Sequence, residues 1–128
     1  MAGAWYVQGF AMFSVIDKTT GEWIGRVGPW FPEGWPGPEV GWGIVSDRCG
    51  RGYATEAAAA AIDWAFATLD WREVVHVIDV ENAASQAVAR KLGSRNRGRT
   101  QLPEPFDSVV VDLWGQTKEQ WRARGTRP

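Results

Sequence analysis

The stretch Asp47–Phe66, DRCGRGYATEAAAAAIDWAF, decides how this chain is read. Two glycines, Gly50 and Gly52, stand beside Arg48 and Arg51 ahead of an alanine-rich run. From Gly52 to Leu69 the residues Ala58, Ile62, Ala65, Phe66 and Leu69 fall on one side of a helical repeat, so a helix is expected there. Alanine favours helix, and its small side chain permits close approach to a sheet. The glycine-rich turn therefore meets a helix N-terminus, where the first N–H groups lack intrahelical partners and the dipole is positive. Such a turn suits a phosphate or pyrophosphate, with Arg48 and Arg51 adding charge. On these residues alone, an ordinary turn with solvated arginines stays open. The pair Gly50-x-Gly52 is neither a full dinucleotide fingerprint nor a nucleotide-triphosphate loop.

Upstream, VGWGIV (Val40–Val45) reads as a strand, and FPEGWPGPE (Phe31–Glu39), with three prolines and two glycines, as a loop. Before that loop, GFAMFSVID (Gly9–Asp17) and EWIGRVGPW (Glu22–Trp30) form a hairpin pattern, with Gly21 suited to a positive φ. Downstream, EVVHVIDV (Glu73–Val80) is apolar on both faces and fits a central strand. NAASQAVARKLGS predicts a second helix with Ala84, Val88 and Leu92 on one stripe, Lys91 in its last turn and Gly93 as its C-cap. Ser94–Phe106 is polar and turn-like, and Arg95, Arg97 and Arg99 alternate as on one face of an edge strand. DSVVVDLWG (Asp107–Gly115) is a further strand, followed by a charged tail with one helical turn. The order β-β-β-α-β-α-β-β specifies an α/β domain with a mixed sheet, not regularly alternating dinucleotide-binding units.

Composition narrows the class. A chain of 128 residues, 45% hydrophobic, supports one core, so residues 1–128 are read as a single domain. With 23% charged residues and a net charge of -1, it lacks the profile of a basic nucleic-acid surface. Cys49 is the one cysteine, which excludes a disulfide framework within the chain and makes a cytoplasmic setting the default. The opening MAGAWYVQGF is not a signal-peptide pattern, and no apolar run reaches membrane-spanning length, so no membrane partner is expected. Nine tryptophans are unusual; Trp5, Trp23, Trp30, Trp35 and Trp42 lie in the first third, where core, cleft and interface all remain open. One histidine and one cysteine give little support to a metal site or a Cys-His nucleophile.

VGWGIVSDRCGRGYATEA, then a strand, then ENAASQAVARKLG resembles the GNAT N-acetyltransferases, in particular the branch that acetylates ribosomal-protein N-termini and related amines. The turn, commonly WGKGYATEA in that branch, stands here as CGRGYATEA, and the second signature as Asn82, Ser85 and Lys91-Leu92-Gly93. The resemblance extends to the hairpin SVIDKTTGEWIGRVG and covers nearly the whole chain. It implies a mixed, mostly antiparallel α/β sheet with a splayed parallel strand pair formed by VGWGIV and VVHVIDV, and acetyl-coenzyme A in the opening as cosubstrate. Ile44 and Val45 would bond by backbone to the pantetheine arm. Cys49, Gly50, Arg51, Gly52, Tyr53, Ala54 and Thr55 would line the pyrophosphate turn, with Asn82 and Ser85 near the thioester. A splayed strand offers unpaired backbone groups to pantetheine amides.

The implied reaction is acetyl transfer to a primary amine, on a protein N-terminus or a small molecule. Glu39 stands where similar enzymes often carry a proton-accepting glutamate; a solvated carboxylate at a strand start is the other reading. Ser85 is a candidate donor to the departing thiolate, or a residue that caps and packs its helix. The tyrosine that some members use as general acid is replaced here by Ala89. His76, inside an apolar strand, is read as packed and hydrogen-bonded rather than as a base. Relatives usually carry a strand and one or two helices ahead of the hairpin, so a homodimer completing the acceptor site is one expectation. A catalytically weak or inactive acyl-coenzyme A-binding or assembly protein of the same fold is the alternative function.

Overall fold

The computed structural model describes residues 13–16, 19–31, 33–44 and 52–124. They form β1 (Phe13–Ile16), β2 (Trp23–Trp30), β3 (Glu39–Ile44), α1 (Tyr53–Thr68), β4 (Glu73–Asp79), α2 (Ala83–Lys91), β5 (Arg95–Thr100), β6 (Val111–Thr117) and α3 (Lys118–Arg124). The strands make one sheet in the order β1-β2-β3-β4-β6-β5. β3 and β4 run parallel, and every other neighbouring pair is antiparallel. This is the expected mixed α/β architecture, with β4 in the interior of the sheet and β5 at its edge.

The alanine face of α1 does what its small side chains allow. Ala58, Ala61, Ile62, Ala65 and Phe66 are buried against Val27 of β2, Val40 of β3 and Val74 of β4. Each large apolar side chain buried in this way contributes about 1.5–3 kcal/mol. Trp121 of α3 closes the same core, and its indole N–H donates to Asp63 Oδ1 at 2.7 Å, so the charged tail is tied to α1. α3 spans seven residues, more than the single turn expected.

α2 begins at Asn82, whose side-chain oxygen accepts the Ser85 N–H at 3.0 Å. The Asn-x-x-Ser spacing is therefore that of an N-cap and the third helical residue. At the other end Gly93 has φ 89, and the Ser94 N–H reaches the Ala89 carbonyl at 3.0 Å, a glycine-terminated helix end. Of the expected Ala84-Val88-Leu92 stripe, Val88 and Leu92 pack against the core and Ala84 does not. Ala84 is exposed, whereas Ala89 and Leu92 are fully buried, because the helix turns its Ala89 side toward Ile78 and Trp114.

Two strand expectations also need correction. β6 starts at Val111, not at Asp107, and continues to Thr117. Its ladder with β4 runs from Glu73↔Thr117 to Asp79↔Val111, and one further bond, from the Val80 N–H to the Val110 carbonyl at 3.2 Å, closes it. Val109 and Val110 precede the strand with exposed side chains. β5 is not a uniform arginine face. Its register with β6 shifts between Asn96 and Arg99 around Gly98, which has φ 106. Arg99 then pairs with Asp112, while Arg97 pairs with Glu73 on β4, crossing the intervening β6 beside Gly115.

Candidate active site where two strands part

The parallel pair β3–β4 has a single register partner, Glu39↔Val75, although both strands run on. The Val75 N–H donates to the Pro38 carbonyl at 2.9 Å. The next bond of a regular parallel ladder would join the Val77 N–H to the Val40 carbonyl. Instead, the Val77 N–H donates to Glu39 Oε2 at 2.7 Å, and the Val40 carbonyl lies 2.8 Å from His76 Nδ1. Each half of the absent ladder bond thus has a side-chain partner from the opposite strand. Because side chains alternate along a strand, Glu39 stands on the face of Val75 and Val77, and His76 on the face of Val40 and Trp42. The His76 and Trp42 ring centroids are 4.8 Å apart.

Glu39 is 8% exposed, which removes the solvated-carboxylate reading. Its second oxygen, Oε1, accepts the Trp35 indole N–H at 2.8 Å. Burial disfavours the charged form and raises the pKa from 4.5 to about 7, against the opposing pull of the Val77 and Trp35 hydrogen bonds. The carboxyl group is therefore poised to exchange a proton near neutrality. Around Trp35 lies an aromatic enclosure, with Trp30 and Phe106 packed edge-on at centroid distances of 6.4 Å and 5.8 Å. Three of the first-third tryptophans thus surround the parting point: Trp30 and Trp35 on the Glu39 side, Trp42 on the other.

His76 is 1% exposed, as its place in an apolar strand led us to expect. Its Nε2 lies 2.9 Å from Ser94 Oγ, and Gln116 Nε2 donates to that oxygen at 3.0 Å and to the Leu92 carbonyl at 2.9 Å. Desolvation lowers the imidazole pKa from 6.5 to about 4, so the ring is neutral at physiological pH. Ser94 and Gln116 carried no signal in the sequence, and Trp35 stood out only as one of the first-third tryptophans, with no link to Glu39. Ser94 follows a helix-ending glycine, Gln116 sits in an apolar strand, and Trp35 lies in a proline-rich loop without periodicity.

Glu39, His76 and Ser85 all line one cleft of about 90 Å³, together with Gly41, Trp42 and Ile78. The structure thus brings together two of the candidate residues, Glu39 and Ser85, from separate elements. Asn82 lies at the head of the same helix as its cap. Ile44 ends β3 beyond the parting point, while Val45, Cys49, Gly50 and Arg51 fall outside the described residues, as does Arg48. Gly52 is described, with φ 81, and supplies no side chain to cap the first turn of α1, where Tyr53, Ala54 and Thr55 follow. The left-handed backbone at Gly52 is one that glycine adopts readily, and it leads directly into α1. Among the described residues no three of His, Cys, Asp and Glu gather as a metal site, and no helix is long and apolar enough to cross a membrane.

Among the described residues, then, the sheet is mixed and its one parallel pair parts beside a buried glutamate, with a glycine-led helix after β3. The chain belongs to the acetyltransferase (GNAT) domain family, which its residues 1–95 match. It is similar to the uncharacterized protein YkkB of Bacillus subtilis, 36% identical over 87 residues that cover 66% of this chain and 51% of that protein. An acetyltransferase from Agrobacterium tumefaciens superposes with a TM-score of 0.77 at 30% identity, covering 91% of this chain and 66% of that one. The ribosomal-protein-S5-alanine acetyltransferase of Vibrio fischeri shares the fold, with a TM-score of 0.74 at 22% identity over 94% of this chain and 68% of that one. The chain spans about half the length of the curated relatives it matches.

Proposed function

We propose that this chain is an N-acetyltransferase that moves an acetyl group from acetyl-coenzyme A to a primary amine, with Glu39 as proton acceptor. The observation that carries this reading is the Glu39 carboxyl group. It is buried at the parting of β3 and β4, its pKa is raised to about 7, and it lines one cleft with Ser85. A neutral amine nitrogen attacks the thioester carbonyl carbon, a C–N bond forms, and the C–S bond breaks. The amine's surplus proton passes to Glu39, directly or through one water, and the Ser85 hydroxyl donates a hydrogen bond to the departing thiolate, which takes up a proton. Beyond Glu39 the parted strands leave backbone groups of β3 free to meet the amides of the pantetheine arm. The glycine-led start of α1, with the turn before it, is the proposed seat of the pyrophosphate. Cys49, Gly50, Arg51, Gly52, Tyr53, Ala54 and Thr55 contribute to that seat, Ile44 and Val45 to the arm, and Asn82 by holding the N-terminal turn that carries Ser85.

The acceptor is an amine on a small molecule or at a peptide N-terminus. Support for the second comes from the fold shared with an enzyme named for ribosomal protein S5, and the aromatic enclosure at Trp35 offers a surface for either. The deciding experiment pairs calorimetric titration of acetyl-coenzyme A with a thiol-release assay over a panel of peptides and small amines. Binding with turnover that Glu39→Gln abolishes supports the reading. Binding without turnover on any amine replaces it with an acyl-coenzyme A-binding protein of the same fold, and absence of binding overturns both.

A further inference from the structure

We propose that His76 is the positioning residue that keeps β3 and β4 apart, its Nδ1–H holding the Val40 carbonyl so that the Val77 N–H is left to Glu39. This inference rests on the acetyl-transfer reading for its effect on catalysis, but its structural content stands independently of that reading. The proton positions follow from the partners. A carbonyl oxygen only accepts, so Nδ1 carries the hydrogen toward Val40. The neutral ring then accepts at Nε2 from the Ser94 hydroxyl, whose oxygen in turn accepts from the Gln116 amide. Gln116 is fixed by its second bond to the Leu92 carbonyl. One imidazole tautomer satisfies this buried chain, and it is the one that presents a donor to β3.

The consequence falls on Glu39. Val40 and Val77 are the two ends of the ladder bond that would extend the parallel pair by one step. With no donor at His76, the buried Val40 carbonyl loses its partner, a costly state, and the backbone donor that a continued parallel ladder would bring to it is the Val77 N–H. Taking that donor closes the strands by one bond and strips Glu39 Oε2 of its 2.7 Å contact. His76 and Glu39 therefore act as a reciprocal pair, one from each strand and each on its own face of the sheet. A ring chosen only to fill space would need none of these bonds.

Two substitutions separate positioning from packing. Both lose the ring, but His76→Asn places an amide nitrogen near the Nδ1 position, whereas His76→Gln places one near Nε2. Acetyl transfer is measured with the full chain at saturating acetyl-coenzyme A, with thermal midpoints recorded for both variants. The expected result is a kcat for His76→Asn close to that of the unaltered chain and a kcat for His76→Gln lower by about tenfold, the worth of one good hydrogen bond, with KM for the amine little changed. Equal losses in the two variants, tracking their stability, overturn the proposal. Because His76 is the only histidine, its ¹⁵N spectrum also reads the tautomer without ambiguity. The Nδ1–H form supports the proposal and the Nε2–H form overturns it, even if neither variant folds. If the unaltered chain acetylates no amine, the functional reading fails, while this spectrum still tests the placement of His76.

Discussion

The Glu39 carboxylate accepts the backbone N–H of Val77 at 2.7 Å, in the place where a parallel sheet would have continued its ladder. One side chain thereby marks the end of strand pairing and, in the proposed reaction, takes the amine's proton. With its pKa raised to about 7 by burial, Glu39 is protonated below neutrality and available as a base above it. The rate of acetyl transfer at low amine concentration is therefore expected to climb through about pH 7 before the amine's own ionisation is complete. Glu39→Gln keeps an acceptor oxygen but not the basicity, and kcat is expected to fall by about 10²-fold or more with acetyl-coenzyme A binding retained. Steady-state kinetics across pH and a binding titration check both parts; an unchanged kcat in the variant removes Glu39 from the chemistry.

Trp35 tunes that carboxylate through its indole N–H, which bonds Glu39 Oε1 at 2.8 Å and favours the charged form. Trp35→Phe keeps an aromatic ring against Trp30 and Phe106 and deletes the donor. The acid limb of the pH–rate profile is expected to move to higher pH, so the variant loses more activity at pH 6 than at pH 9. A uniform loss at both pH values would mean that Trp35 acts by packing alone.

How far the sequence spoke depends on the range of the interaction. The α1 face and the termination of α2 at Gly93 follow from local periodicity and backbone preference, and both were legible. The placement of β4 followed from its two apolar faces. On the buried side of α2, Val88 and Leu92 were legible but Ala84 stood in for Ala89, because the two are equally small and only the contact with Ile78 and Trp114 chooses between them. β6 was begun too early because Val109 and Val110 look like strand, yet the register pairs end at Asp79↔Val111 and Val110 adds one last bond, to the Val80 N–H. At the candidate site, motif resemblance singled out Glu39 and Ser85, which line one cleft. Their surroundings depend on partners 38 and 18 residues apart, Glu39 with Val77 and His76 with Ser94, which no local pattern encodes.

Gly115 shows how tightly the far side of the sheet is built. A Cβ there would stand 2.8 Å from the Val74 carbonyl oxygen and 3.0 Å from Arg97 Cζ. The arginine can swing away, but the backbone oxygen belongs to the β4–β6 ladder and cannot. Gly115→Ala is expected to destabilise the domain by about 1–3 kcal/mol, the usual cost of overpacking. Urea denaturation measures it, and a stability equal to that of the unaltered chain would show that the ladder yields more easily than its spacing implies.

The two buried titratable groups at the parting point pull stability in opposite directions with pH. Glu39 titrates at about 7 in the native protein against 4.5 ordinarily, so between those values the native state holds a proton that the unfolded chain has lost. Its contribution is full below pH 4.5 and is lost as pH rises to 7. His76 titrates at about 4 in the native protein against 6.5 ordinarily, so there the unfolded chain binds the extra proton. Its contribution is full above pH 6.5 and is lost as pH falls to 4. Between pH 4.5 and 6.5 the two effects offset each other, which leaves the unaltered domain with little net dependence from this pair. Removing one group exposes the other. Glu39→Gln is expected to gain stability, relative to the unaltered chain, as pH rises from 4.5 to 7, by up to about 3 kcal/mol. His76→Asn is expected to lose stability relative to the same reference as pH rises from 4 to 6.5, by a similar amount. Urea midpoints for the three proteins at half-unit steps from pH 4 to 8 test the pair together, and parallel curves would show that neither group titrates differently in the native state.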